Sequence, residues 1–549
     1  MDFNRTFLAV VLSLFILFGF QYFFPPVVPQ QPPVDSQPQQ TTETASGQQA
    51  PAQQIAATPT GAAQPLVAVN PQARDIMIDT PLYAVIMNEQ GGGFKSFVLK
   101  NYRNAIEEDS GPMQLLADKG PGSLPVLFSI DNAASVELPL FKADKTSVTL
   151  TKESETAQLT MTATLAEGLT VVRTLTFRGD SYLIHTEYRV QNATDKAIQI
   201  SPALTLTNEP FAHSVGIGDF LFHGPAAFVN GGLVETEMKK LPEGPVLLQG
   251  KVSWAGFVDS YFMTSVIPAS GNTVTVTQQG SKAQARTVIS EGIQGIGGHE
   301  TRSYAYTLYF GPKKLKILEA AGNDLPHSVD FGWFDVIGKP MLWLLNFFHQ
   351  FSGNYGVAII LLTVLIKAVF WPITQKGMKS MKNMQKLQPR IVKIRERYKD
   401  DPAKMNQEIM TMYKTYKVNP FGGCLPMLIQ IPFFFALYRV LMEAIELRHA
   451  PFMLWINDLS APDRLWIGFD IPYLHGIPVM TLLMGASMYL QQKMTPTTAD
   501  PMQARIMQFL PIVFTVMFIN FASGLVLYWL INNLLSILQQ YLINRKNKS

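Results

Sequence analysis

The chain has 549 residues, of which 47% are hydrophobic and 15% charged, and its formal charge is +3. That length allows two or more domains, and the near-balanced charge argues against a polyelectrolyte built to bind nucleic acid. A single cysteine, Cys424, excludes an internal disulfide framework and a cysteine-based zinc cluster. The apolar residues fall in a few long blocks, as in a membrane protein with a soluble portion.

Residues 1–24 contain an apolar run, Thr6 to Phe24, preceded by Arg5 and closed by Pro25 and Pro26. It is long enough to cross a bilayer. Because no A-x-A cleavage site follows, it reads as a retained N-terminal anchor in preference to a cleaved signal peptide. Residues 25–70 are Pro, Gln, Thr, Ala and Ser with almost no charge or aromatic residue, so they read as a disordered linker.

The pattern changes over residues 71–325. Short alternating stretches such as "VVRTLTF", "YLIHTEYRV", "TVTVT" and "YAYTLYF" are separated by Gly, Asn, Asp and Pro turns. They predict a large β-sandwich, ended by a helix in "PKKLKILEAAG". Residues 331–351 place Trp333, Phe334, Met341, Leu344, Leu345 and Phe348 at helical spacing beside Lys339, Asn346 and His349, as an interfacial amphipathic helix does. A packed soluble helix is the competing reading.

Residues 352–549 read as a five-helix core, with spans at Tyr355–Thr374, Pro420–Met442, Ile471–Gln491, Ile506–Phe521 and Gly524–Ile543. With the anchor they make six transmembrane helices. Lys and Arg crowd residues 376–417, flank the next inner loop as Lys493 and Arg505, and fill the tail "NRKNKS". All fall on the side of Arg5, which puts both termini in the cytoplasm and the β-sandwich outside.

Segment 376–417 itself has structure. Leu387, Ile391, Ile394 and Tyr398 share one helical face, and Met405, Ile409 and Met412 share another. Between them Asp401 is placed to cap a second helix, with Pro402 at its first position. This predicts a helical hairpin whose outer face carries Arg390, Lys393, Arg395, Arg397 and Lys399; Arg545 and Lys546 add charge in the tail. Lipid headgroups account for such charge, and so does a docking surface for ribosomal RNA or a targeting factor.

No nucleotide loop, nucleophile elbow, zinc-protease motif or dinucleotide fingerprint is present, and "GGHETRS" around His299 and Glu300 reads as a turn. Nothing calls for a cofactor or a metal. The unusual residue is Lys367, inside "VLIKAVFWPIT", where a charge costs about 2.5–3.5 kcal/mol on insertion scales. Thr363, Thr374 and Gly356 lie on its side of the helix, Gln430 lies in the next span, and Tyr528, Asn532, Ser536 and Gln539 or Gln540 form a polar stripe in the last. Two readings stand. Three polar helix faces enclose a hydrated groove, or Lys367 snorkels to cytoplasmic headgroups about 10 Å away while the other polar residues bond helix to helix.

The stretches "KVNPFGGCLPMLIQIPFFFALYRVL", "HAPFMLWINDLS", "MTPTTADPMQARIMQFLPIVF" and "SGLVLYWLINNLLSILQQ" resemble the YidC/Oxa/Alb family of membrane insertases, in its bacterial form. The resemblance covers essentially the whole chain. It implies a non-enzymatic protein of the bacterial inner membrane that inserts and folds nascent membrane proteins, alone or with the Sec translocon (SecYEG and SecDF), and that functions as a monomer. It also implies a periplasmic β-supersandwich similar in fold to sugar mutarotases, and contacts of the hairpin and tail with the ribosome and signal-recognition components. The family's intramembrane groove carries one basic residue, which falls on Lys367, and Thr363, Gln430, Tyr528 and Trp529 match other groove positions. Many members have arginine where this chain has lysine, so a mechanism that needs only positive charge is favoured over a bidentate clamp. A solute transporter and an anchored sugar-active enzyme are the competing classes. The first calls for paired halves with broken helices, the second for a carboxylate or histidine pair in the β-domain.

Overall fold

The computed structural model describes residues 70–107, 109–117, 124–130, 138–165, 168–211, 222–269, 273–416, 418, 425–494 and 501–546. The expected anchor at 1–24 and all but the last residue of the 25–70 linker lie outside the described residues.

Alternating strands between Asp75 and Pro312 assemble into two large sheets, with one additional two-stranded pair. A ten-stranded sheet runs from Val246–Gly250 at one edge to Ser147–Thr149 at the other. A nine-stranded sheet runs from Gly232–Glu235 to Lys142–Ala143. The inward residues of both meet in one core that includes Trp254, Phe94, Phe97, Phe177 and Phe310, with Phe97 and Phe310 edge to face at 5.3 Å. Each such side chain contributes about 1.5–3 kcal/mol on burial, which lets the sandwich hold together without disulfides.

The period of two has one consequence that composition hides. In the strand Leu169–Arg178 it turns Leu169, Val171, Leu175 and Phe177 inward, and Arg173 with them. Arg173 is 1% exposed, its guanidinium lies 4.9 Å from the Tyr188 ring and 5.5 Å from the Phe94 ring, and Nε donates to Thr186 Oγ1 at 3.2 Å. Nη1 donates to the carbonyl of Gly92. At the sandwich edge Glu89 accepts from Arg74 and from the N–H groups of Arg74 and Ala143, and these bonds, the Arg74 guanidinium first, hold its carboxyl down at about 2.

A short helix α1, Leu315–Ala321, closes this region. The remaining helices are α2, Asp335–Ser352; α3, Tyr355–Arg397; α4, Pro402–Thr415; α5, Leu425–Glu443; α6, Val479–Met494; α7, Pro501–Phe518; and α8, Ser523–Lys546. Helix α2 has two apolar faces. Met341, Leu342 and Leu345 are buried where it packs on α3 and α5, while Val336, Trp343 and Phe351 stay exposed. Gly353, at φ +65°, ends it in the left-handed region, and Asn354 caps α3 by accepting from Val357 N–H.

Three boundaries differ from the sequence reading. The helix that starts at Tyr355 does not stop at Thr374 but continues to Arg397, 43 residues or about 65 Å, through Pro372 and Pro389. Each proline removes one N–H, and the turns around it keep the helix going. The span placed at Ile471–Gln491 begins at Val479, because Pro472, Gly476 and Pro478 break the preceding stretch. The final hairpin turns at residues 519–522, between α7 and α8. By length and composition two helices among the described residues can cross a membrane, at Tyr355–Arg397 and Ser523–Ile543.

The sandwich is bonded to the C-terminal end of α5 and the residues just beyond it. Tyr261 Oη donates to the Met442 carbonyl at 3.3 Å, and Arg448 Nη2 donates to the carbonyls of Arg103 and Asn104 at 2.7 and 2.9 Å.

Candidate functional site

Helices α3, α5 and α8 bring together most of the polar residues singled out inside the apolar blocks. Lys367 is 6% exposed and turns across the bundle toward α8, not along α3 to its end. Its Nζ donates to Ser536 Oγ at 2.7 Å and to Asn532 Oδ1 at 3.4 Å. Ser536 donates its one hydroxyl proton to the Asn532 carbonyl at 2.8 Å, which leaves its lone pairs for the lysine. Gln430 donates to the same Asn532 Oδ1 at 3.4 Å and is also bonded to Tyr528, which is 3% exposed. The cation is therefore held by neutral oxygens, and among the described residues no carboxylate pairs with it.

Two predicted residues sit differently. Thr363, 1% exposed, spends its hydroxyl on the Ile359 carbonyl one turn back, at 2.6 Å, and makes no bond to the cluster. Trp529 belongs to an aromatic group, with ring centroids 4.9 Å from Phe518, 5.0 Å from Phe434 and 5.6 Å from Phe514. Below the lysine, Gln539 donates to Thr374 Oγ1 at 2.9 Å and to the Trp371 carbonyl at 3.2 Å.

One pair escaped the sequence reading. Asn533 Nδ2 donates to Ser487 Oγ at 3.1 Å, joining α8 to α6. The signal was the doublet Asn532–Asn533: neighbours on a helix point about 100° apart, so two adjacent amides serve two different helices.

In the hairpin, Leu387, Ile391 and Met412 form a small core with Ile394, Ile409 and Tyr413, and Asp401 caps α4 by accepting from Lys404 N–H at 3.0 Å. Because α3 is unbroken, exposed Lys376, Lys379, Lys386, Arg390, Lys393 and Arg397 recur at helical spacing along one rod. Arg390 also lies 4.8 Å over the Tyr416 ring, Arg395 is half-buried, and Lys399 and Arg545 are exposed. The Lys546 side chain lies outside the described residues.

A family model described as the 60Kd inner membrane protein matches residues 347–549, and one described as the YidC periplasmic domain matches 75–344. A membrane protein insertase YidC from Pelobacter propionicus is 41% identical over 99% of both chains. The chain belongs to the YidC family. Two further YidC relatives agree: that of Syntrophobacter fumaroxidans is 42% identical over 85% of this chain and 86% of its own, and that of Geobacter metallireducens 40% over 99% and 98%. YidC proteins are non-enzymatic insertases, and with membership the β-sandwich becomes a periplasmic domain joined to a helical C-terminal part.

Proposed function

We propose that this YidC chain inserts and folds nascent proteins in the bacterial inner membrane, alone or with the Sec translocon, by a physical mechanism with no covalent step. A hydrophilic, acidic client segment approaches Lys367, whose positive charge lowers the cost of removing that segment from water. The client's apolar segment meanwhile passes along α3, α5 and α8 into lipid, and its burial drives the process. The observation that carries this reading is the cation on Ser536 and Asn532 inside an apolar bundle, with neutral acceptors and no carboxylate among the described residues.

In this reading α3, α5, α6, α7 and α8 span the membrane with the anchor at 1–24, six spans in all. Both termini and the α3–α4 hairpin are cytoplasmic. Arg390, Lys393, Arg395, Arg397, Lys399, Arg545 and Lys546 supply a surface for the ribosome and targeting components. Gln430, Tyr528, Asn532 and Ser536 line the client path, Thr363 shapes its wall and Trp529 its apolar side. The working unit is a monomer.

The test is insertion of a single-span client with an acidic outer segment into liposomes holding the purified chain, scored by protease protection, for wild type and Lys367→Met. The reading expects a loss of tenfold or more in the variant. Equal insertion overturns the role of the charge.

A further inference from the structure

The segment between α5 and α6, residues 444–478, is more than a connection. Phe452 accepts from Asn354 Nδ2 at the start of α3, at 2.8 Å. Leu459 and Ala461 accept from the N–H groups of Gly524 and Ser523 at the start of α8, at 2.9 and 2.7 Å. Arg464 donates to the Ile519 carbonyl and to Asn520 Oδ1 just beyond α7, both at 2.8 Å. Asp463, 2% exposed, accepts from Trp455 Nε1 at 2.6 Å and from the N–H groups of Met480 and Thr481 at the start of α6. Helix α5 runs directly into the segment. It is thus a braced cap on one end of all five core helices, the end that faces the β-sandwich.

A cap in water has reason to be polar at its rim, and beside the exposed Asp470–His475 pair this one carries large apolar side chains. Leu454 is 81% exposed, Tyr473 95%, Phe469 62%, Trp466 59% and Met453 50%. The backbone accepts strain at the two most exposed of these: Leu454 has φ +57° and Tyr473 φ +67°, in the left-handed region that bulky side chains avoid. The chain holds large apolar side chains outward at a conformational cost, so something outside the described residues covers them. Helix α2, which leads into the same end of α3, exposes Trp343 and Phe351 as well.

We infer that the rim of the 444–478 cap beds into the headgroup and upper acyl region of the outer leaflet, with Leu454, Trp466, Phe469 and Tyr473 as its anchors. Lipid is the favoured occupant because the segment joins two spans at their ends, which is interfacial depth, and because Trp and Tyr with aliphatic neighbours are the side chains that suit that zone. The cap would then fix the depth of the five helices against the outer surface.

The inference rests on the spanning topology proposed above, and the experiment separates the two. In a Cys424→Ser background, Leu454→Cys, Tyr473→Cys, Val516→Cys on α7 and Thr307→Cys on the sandwich are labelled with a polarity-sensitive fluorophore in phosphatidylethanolamine/phosphatidylglycerol nanodiscs. Labels at 454 and 473 should be quenched several-fold more by nitroxide near the lipid headgroup than by nitroxide at the bilayer centre, and little by aqueous iodide. The label at 516 should favour the central nitroxide and that at 307 iodide. If 516 behaves as expected while 454 and 473 follow 307, or are shielded from lipid and iodide alike by a second copy or another protein, the cap reading is overturned. If 516 also escapes lipid, the topology falls and the cap reading with it. Should Cys424→Ser fold poorly, the readout moves to native Trp466: the bromolipid-quenched part of tryptophan emission should be smaller in Trp466→Phe than in wild type, and an equal part overturns the cap reading.

Discussion

Two buried cations, one in each half of the molecule, solve the same problem in opposite ways. Arg173 sits between the sheets on the faces of Phe94 and Tyr188 with one carbonyl and one hydroxyl, and Lys367 sits between helices on Ser536 and Asn532. Neither has a carboxylate partner among the described residues. The guanidinium is flat, delocalised and weakly hydrated, so aromatic faces stand in for part of its hydrogen bonding. The ammonium is a compact charge with three donors, two of which meet the neutral oxygens of Ser536 and Asn532. The first is held mainly by ring faces, with Nη2 left without a hydrogen-bond partner among the described residues, and the second by side-chain oxygens of a neighbouring helix.

The sharpest way to break this contrast is at Arg173. Arg173→Ala should lower the unfolding free energy by about 3–5 kcal/mol in urea titrations of the full chain in detergent, through the void and the orphaned polar partners it leaves. Arg173→Met should cost under about 1.5 kcal/mol. Lys367→Met should do the reverse: unfolding within about 1 kcal/mol of wild type, with insertion of an acidic client down tenfold, equivalent to about 1.4 kcal/mol of lost attraction. Were Lys367→Met as destabilising as Arg173→Ala, the lysine would be a packing residue too.

Smaller effects sharpen the comparison at the edges of each half. Asp401→Ala removes the α4 cap and should cost about 1 kcal/mol, seen as faster amide exchange in residues 402–415 with client insertion unchanged in liposomes lacking ribosomes. The sandwich should also show an acid response. Glu89 is held at about 2 against a usual 4.5, so its contribution is complete above the usual carboxylate range and is lost as the pH falls from about 4.5 toward 2. Melting of wild type should drop across that interval and that of Glu89→Gln should drop less; equal slopes would mean that Glu89 is not the responsible group.

Much of this was legible before any coordinates. A period of two identified the strands, and a lysine in an apolar run pointed to Lys367. A stripe of Tyr528, Asn532 and Ser536 at helical spacing pointed to its partner helix. Capping residues located the turn at Asp401. What escaped had no signal that named its partner. Asn533 with Ser487, and Asp463 with the start of α6, are pairs 46 and 17 residues apart in sequence. That α3 runs unbroken through Pro372 and Pro389 was likewise not legible, because a carbonyl left unbonded by a proline can be met by groups that only the tertiary structure supplies.

Periodicity and composition therefore specify which residues face inward, since burial of apolar surface acts on each element alone and its period is written along the chain. They put Lys367 among polar neighbours with a groove and a snorkelling path both open, and the strand period that turns Arg173 inward shows its consequence only in the structure. They do not say what each will touch. Whether a buried charge meets ring faces, a hydroxyl or an empty position depends on which elements pack beside it and in what register. That choice is made between distant segments, by shape and hydrogen bonding at a few ångströms, and it separates the ring-packed cation of the sandwich from the oxygen-bonded one of the helical core.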